Sequence, residues 1–152
     1  MSNVRGVSRT HPWERAIALL VENDPWLRVV MCDVLAQAGY RVAEASNGFS
    51  ALRLAQREPL ALVLLNLVLP EQSGLSVLAE LRAAPATAHV PVIVVSGQPQ
   101  VLRDAVIRAD AVIAKPFALD TLLAEVSRSR QRAVNALPIA GAITGSCGSG
   151  SG

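Results

Sequence analysis

The chain has 152 residues, 51% of them hydrophobic but only 3% aromatic, with a net charge of +2. That length suits one domain with tails, and its core must be built from Leu, Val, Ile and Ala. The longest apolar runs fall far short of the roughly 20 residues that cross a bilayer. Met1–Arg15 has no apolar segment of the kind a secretory signal needs, so a cytoplasmic protein with no membrane contact is expected.

The charge is uneven. Ala16–Val126 holds 11 acidic and 8 basic residues, a balance of −3, while the flanks hold six Arg and one Glu, a balance of +5. A mildly acidic body argues against nucleic-acid binding through this domain. Of the two cysteines, Cys32 lies in a helical pattern and Cys147 in a Gly/Ser stretch, and neither has metal-ligand spacing. Cys32 reads as a small, buried or half-buried hydrophobe. His11 and His89 are isolated and read as structural or solvent-facing.

Residues 1–15 read as a disordered arm. Ala16–Val21 is a continuous apolar run, suited to a strand buried on both faces. Asp24-Pro25 then supplies a carboxylate cap and a proline at the first helical position. Leu27, Val30, Met31, Val34, Leu35 and Ala38 recur at helical spacing until Gly39. Arg41–Ala45 is a short, polar strand. Asn47-Gly48 opens a helix that ends near Glu58-Pro59.

Leu62–Pro70 holds a second apolar run with one polar residue, Asn66, near its end. Ser73 or Gly74 opens a third helix, with Leu75, Leu78, Ala79 and Leu81 on its inner face. Val90–Val95 predicts another strand, Gln100–Arg108 a short, weak helix, and Ala111–Ala114 a small strand ending at Lys115-Pro116. The last helix runs from Leu119 to about Ala133. The predicted domain is therefore 16–133, and 134–152 reads as a flexible Gly/Ser-rich tail.

Five β-α pairs in strict alternation predict a doubly wound parallel sheet with helices on both faces. The polar second strand belongs at an edge, which gives the order 2-1-3-4-5 and a crevice at the carboxyl ends of strands one, three, four and five. That crevice collects Glu22, Asn23 and Asp24 with Asn66, Ser96 and Lys115. Lys115 is the only Lys in the chain.

At these positions stand Val-Glu-Asn-Asp-Pro, Leu-Asn-Leu-Val-Leu-Pro-x-x-Ser-Gly, Val-Ser-Gly and Lys-Pro-Phe, in order. From about Ala16 to Val126 the chain resembles a response-regulator receiver domain of two-component signalling, of flavodoxin-like (βα)5 fold. The resemblance implies that Asn66 stands where receivers carry the Asp that takes a phosphoryl group from a histidine kinase. Glu22 and Asn23 match the acidic pair that holds Mg²⁺ with it, and Val68 matches the main-chain carbonyl ligand. Ser96 and Lys115 match the hydroxyl and cation that contact the phosphoryl oxygens. Val112 stands where an aromatic switch residue is usual, and the segment from Ser96 to Lys115 is short for the family.

The departures are chemical. A carboxamide is neutral and half donor, so Asn66 cannot form an acyl phosphate as a carboxylate does. Mg²⁺ seeks anionic oxygens in octahedral array; with Asn at 23 and 66, only weak binding through Glu22 is expected, with no cofactor otherwise. The Asn66 amide is expected to hydrogen-bond Lys115 or Ser96 without metal.

The reading is a degenerate receiver, or pseudo-receiver: not an enzyme, but a phosphorylation-independent interaction module. Its partner is a histidine kinase or another signalling protein, or a second copy in a homodimer. The alternatives are a receiver modified at a nearby carboxylate such as Asp24, and a small-ligand-binding flavodoxin-like protein. The latter lacks a Gly-rich phosphate loop after strand one.

Overall fold

The structure, a computed structural model, describes residues 16–106 and 108–135. The arm at 1–15, the stretch after Asn135, His11 and Cys147 lie outside the described residues. The elements are β1 (Ile17–Val21), α1 (Pro25–Gln37), β2 (Arg41–Ala45), α2 (Gly48–Arg57), β3 (Leu60–Asn66), α3 (Gly74–Ala83), β4 (Val92–Ser96), α4 (Pro99–Ala105), β5 (Ala111–Ala114) and α5 (Leu119–Asn135). The five strands are parallel and lie in the order β2-β1-β3-β4-β5.

The apolar runs are continuous because both faces of the central strands are covered. Successive side chains of a strand point to opposite faces. Leu19, Val21, Val63, Leu65, Val92 and Val94 pack with Ala51, Ala55, Val77, Leu78, Leu81 and Ala105 of α2, α3 and α4. Ala18, Leu20, Leu62, Leu64, Ile93 and Val95 pack with Met31, Val34, Leu35, Leu122 and Val126 of α1 and α5. Burying one such Leu or Val side chain contributes about 1.5–3 kcal/mol. Among the described residues the edge strand β2 has no second neighbour, and its Arg41 and Glu44 are exposed.

Local signals set the helix starts. The Asp24 side chain accepts from Trp26 N at 3.0 Å and Leu27 N at 3.4 Å, a cap worth about 0.5–2 kcal/mol. Asn47 caps α2 through Ser50 N at 2.8 Å, and Ser73 caps α3 through Leu75 N at 3.0 Å. Gly39 ends α1 at φ +97°, a conformation that costs glycine no Cβ clash. Val77, which periodicity left off the inner face of α3, is fully buried there.

Several boundaries shift by one to three residues from expectation, those of β4 and α4 for identifiable reasons. Strand β4 begins at Val92 rather than Val90. Val90 N closes a turn onto Thr87 O at 3.0 Å, Pro91 has no N–H, and its carbonyl takes the first ladder bond from Val63 N at 2.9 Å. Helix α4 spans seven residues, Pro99–Ala105, with no side-chain cap bond. Proline at its start and the missing cap agree with a short, weak helix. Cys32 is half-buried and free, and His89 is exposed. Among the described residues no helix is long and apolar enough to cross a membrane.

Candidate functional site

The strand order brings the ends of β1, β3, β4 and β5 to one edge of the sheet. Glu22 follows β1 directly, and its N–H extends the ladder to Ala45 O at 3.0 Å. Asn66 is the last residue of β3 and pairs with Val95. Its loop is pinned by Gly74, whose N–H donates to Leu67 O at 2.9 Å. A Cβ there would stand 2.4 Å from Leu67 Cα, so only glycine permits this approach. Glu71 in the same loop takes a left-handed φ of 67°, uncommon for a residue with a Cβ.

Asn66 is buried, and its carboxamide is fully engaged. Nδ2 donates to Glu22 Oε2 at 3.2 Å, to Asn23 Oδ1 at 3.2 Å and to the Val68 carbonyl at 3.0 Å. Its Oδ1 accepts from Val68 N at 3.2 Å. The partners are therefore Glu22, Asn23 and the Val68 main chain. The expected bonds to Lys115 or Ser96 are replaced: Val68 N–H donates to Asn66 Oδ1, Lys115 pairs with Glu22, and the Ser96 hydroxyl bonds within its own loop.

Glu22 is only 1% exposed, and burying a carboxylate is costly unless it is paired and hydrogen-bonded. Both conditions are met. Lys115 Nζ stands 3.4 Å from Oε1, and Oε2 accepts from Asp24 N at 3.0 Å as well as from Asn66. Lys115 N also donates to Ser96 O at 2.9 Å, which fixes the start of its loop on β4. The Lys115–Pro116 peptide is cis.

The remaining predicted residues have other duties, and all but Val112 fall at the same edge. Ser96 is fully buried, and its Oγ accepts from Gln98 N at 3.1 Å, so the hydroxyl is folded into its own loop. The Asp24 carboxylate points along α1 as its cap. Val112 lies within β5 opposite Val94, half-buried against the α2–α4 side of the core. Val68 presents its main chain to Asn66 and its side chain to solvent.

Arg28 was not anticipated. Its Nη1 donates to Glu22 O at 2.8 Å, and its Nε stands 3.3 Å from Glu44 Oε1. It braces the β1–α1 turn against β2. The available signal was its place between Leu27 and Met31, one turn after the Asp24 cap.

A magnesium ion is poorly matched by this donor set. It would find one carboxylate, already paired with Lys115, together with a carboxamide and a main-chain carbonyl. Among the described residues no three His, Cys, Asp or Glu side chains gather as a metal site. A cavity of about 520 Å³, lined by residues including Leu60, His89 and Ser129, lies at the opposite end of the sheet and shares none of these residues.

Comparison with known proteins agrees with the architecture. Residues 18–127 match the family model of the response regulator receiver domain. The chain is 29% identical over 113 residues to the chemotaxis protein CheY of Bacillus subtilis, covering 73% of this chain and 94% of that protein. It is 39% identical over 80 residues to a Vibrio cholerae protein described as a probable cyclic di-GMP phosphodiesterase, covering 53% of this chain but only 18% of that one. Among solved structures, it superposes with a TM-score of 0.70 at 29% identity on the receiver domain of a sensor histidine kinase from Pseudomonas aeruginosa, over 77% of this chain and 98% of that one; that structure has a magnesium ion coordinated in its active-site cleft.

Proposed function

Because the chain belongs to the response-regulator receiver domains of two-component signalling, we propose that it serves such a pathway as a phosphorylation-independent interaction module. Receiver domains act through contacts with histidine kinases and other signalling proteins. This chain keeps the scaffold for such contacts and replaces the chemistry at the strand ends.

One observation carries the reading. The side chain at the acceptor position is a buried carboxamide whose two ends are both committed to hydrogen bonds. A neutral amide has no anionic oxygen to attack phosphorus. Asp24 is a poor substitute acceptor, since its carboxylate is held as the cap of α1, with Oδ1 accepting from the Trp26 and Leu27 N–H groups. Signal then passes by contact with a protein partner or a second copy, with no turnover and no need for Mg²⁺.

The test is incubation of the full chain with acetyl phosphate and Mg²⁺, read on a phosphate-affinity gel. No shifted band is expected. An acid-stable, base-labile phosphoryl adduct overturns the proposal, and its loss in Asp24→Ala would assign it to that carboxylate.

A further inference from the structure

Three oxygens of different kinds converge on Asn66 Nδ2: a carboxylate oxygen of Glu22, the carboxamide oxygen of Asn23 and the main-chain carbonyl of Val68, at 3.0–3.2 Å. The nitrogen has two hydrogens for these three acceptors, so one N–H is shared. A buried centre of partial positive charge ringed by oxygens is the arrangement a cation imposes on its ligands, here at hydrogen-bond length rather than the roughly 2.0–2.1 Å of Mg²⁺ coordination.

The amide can stand only one way round. An ionised carboxylate and a carbonyl accept but cannot donate. Turning the amide over would set Oδ1 against Glu22 Oε2 and Nδ2 against the Val68 N–H, which now donates to Oδ1 at 3.2 Å. Both halves of the pocket would lose their bonds together. The orientation is thus over-determined by Glu22 on one side and Val68 on the other.

The geometry points to Asn66 Nδ2 as a tethered substitute for a divalent cation, holding the β1–α1 turn and the Val68 segment together without metal. It shares with the interaction-module reading only the premise that Asn66 occupies the acceptor position. The role is positional: the amide gathers Glu22, Asn23 and Val68 and leaves a second cation little to bind. Lys115 neutralises the other oxygen of Glu22 at 3.4 Å. Asp at position 66 would instead set oxygen against the Glu22 carboxylate and make the pocket dependent on an added cation.

Thermal unfolding of the full chain and of Asn66→Asp, each in EDTA and in millimolar MgCl₂, tests this. The wild-type midpoint is expected to be the same in both. Asn66→Asp is expected to melt several degrees lower in EDTA and to recover with MgCl₂. A wild-type midpoint that rises with MgCl₂, or an Asn66→Asp variant indifferent to it, overturns the inference.

Should Asn66→Asp fail to fold, the wild type alone decides. On titrating Mn²⁺ into ¹⁵N-labelled protein, the Asn23, Asn66 and Val68 amides should show no selective broadening, and the Asn66 side-chain NH₂ should exchange slowly. Selective broadening or fast exchange overturns it. A phosphoryl adduct in the gel assay would refute the interaction-module reading while leaving these metal readouts unchanged, so the two can fail separately.

Discussion

At the scale of the residue, one exchange of oxygen for NH₂ changes what the pocket attracts. With Asn66, Glu22 faces a donor on one oxygen and Lys115 on the other. With Asp, it would face a like charge; two unit charges about 4 Å apart at an effective dielectric of about 20 interact by about 4 kcal/mol. Asn23→Asp combined with Asn66→Asp places three carboxylates beside the Val68 carbonyl and Lys115. That variant is expected to bind Mg²⁺ and, with it, beryllofluoride, measured by calorimetry, and the wild type is expected to bind neither measurably. If the double variant also binds neither, the departure from receiver chemistry extends beyond these two side chains.

At the scale of the element, the end of α1 and the last turns of α5 form a second polar contact away from the site. Arg130 donates to Ala38 O and lies 5.7 Å from the centre of the Tyr40 ring. The Tyr40 hydroxyl is buried, and neither it nor Ser129 Oγ has a hydrogen-bond partner among the described residues. Burial pushes the Tyr40 phenol above its ordinary value, and the neighbouring Ser129 hydroxyl and then Arg130 pull the other way. The folded chain therefore keeps a proton that the unfolded chain loses near pH ~10. This contribution to stability is complete below about pH 10 and is lost as the pH rises through the folded value. Tyr40→Phe should cost about 1 kcal/mol or less near neutrality, since no bond is broken, and should lose less stability than the wild type above about pH 10. Urea midpoints across that range check it; equal losses in the two proteins would show that the phenol is not desolvated.

At the scale of the whole molecule, the sheet separates two cores. Leu78 of α3 belongs to one and Leu122 of α5 to the other, both essentially fully buried. Leu78→Ala and Leu122→Ala should each cost about 2–5 kcal/mol. Sharing no partners, the two losses should add within about 0.5 kcal/mol in the double variant. Chemical denaturation of the three variants measures this. A coupling well above that value would mean that the sheet transmits strain between its faces.

The five β-α pairs and their order were legible because each rests on local chemistry. Runs such as Leu62–Leu65 need apolar cover on both faces, polar Arg41–Ala45 belongs at an edge, and Asp24, Asn47 and Ser73 mark helix starts in their own side chains. The start of β4 was less legible, because Val90 reads as strand by composition while the turn from Thr87 claims its N–H. Membership of the crevice was legible too, since topology alone brings positions 22, 66, 96 and 115 to one edge.

The chain by itself determined that position 66 has no nucleophilic carboxylate, since that is a property of the side chain in any fold. Only the tertiary structure decided which oxygens its amide gathers. Glu22 and Asn23 lie 44 and 43 positions away in sequence, and strand register and the glycine-pinned loop turn them, with the Val68 carbonyl, toward one nitrogen. The same packing turns the Ser96 hydroxyl into its own loop and commits Lys115 to Glu22, choices that depend on ångström distances rather than residue types.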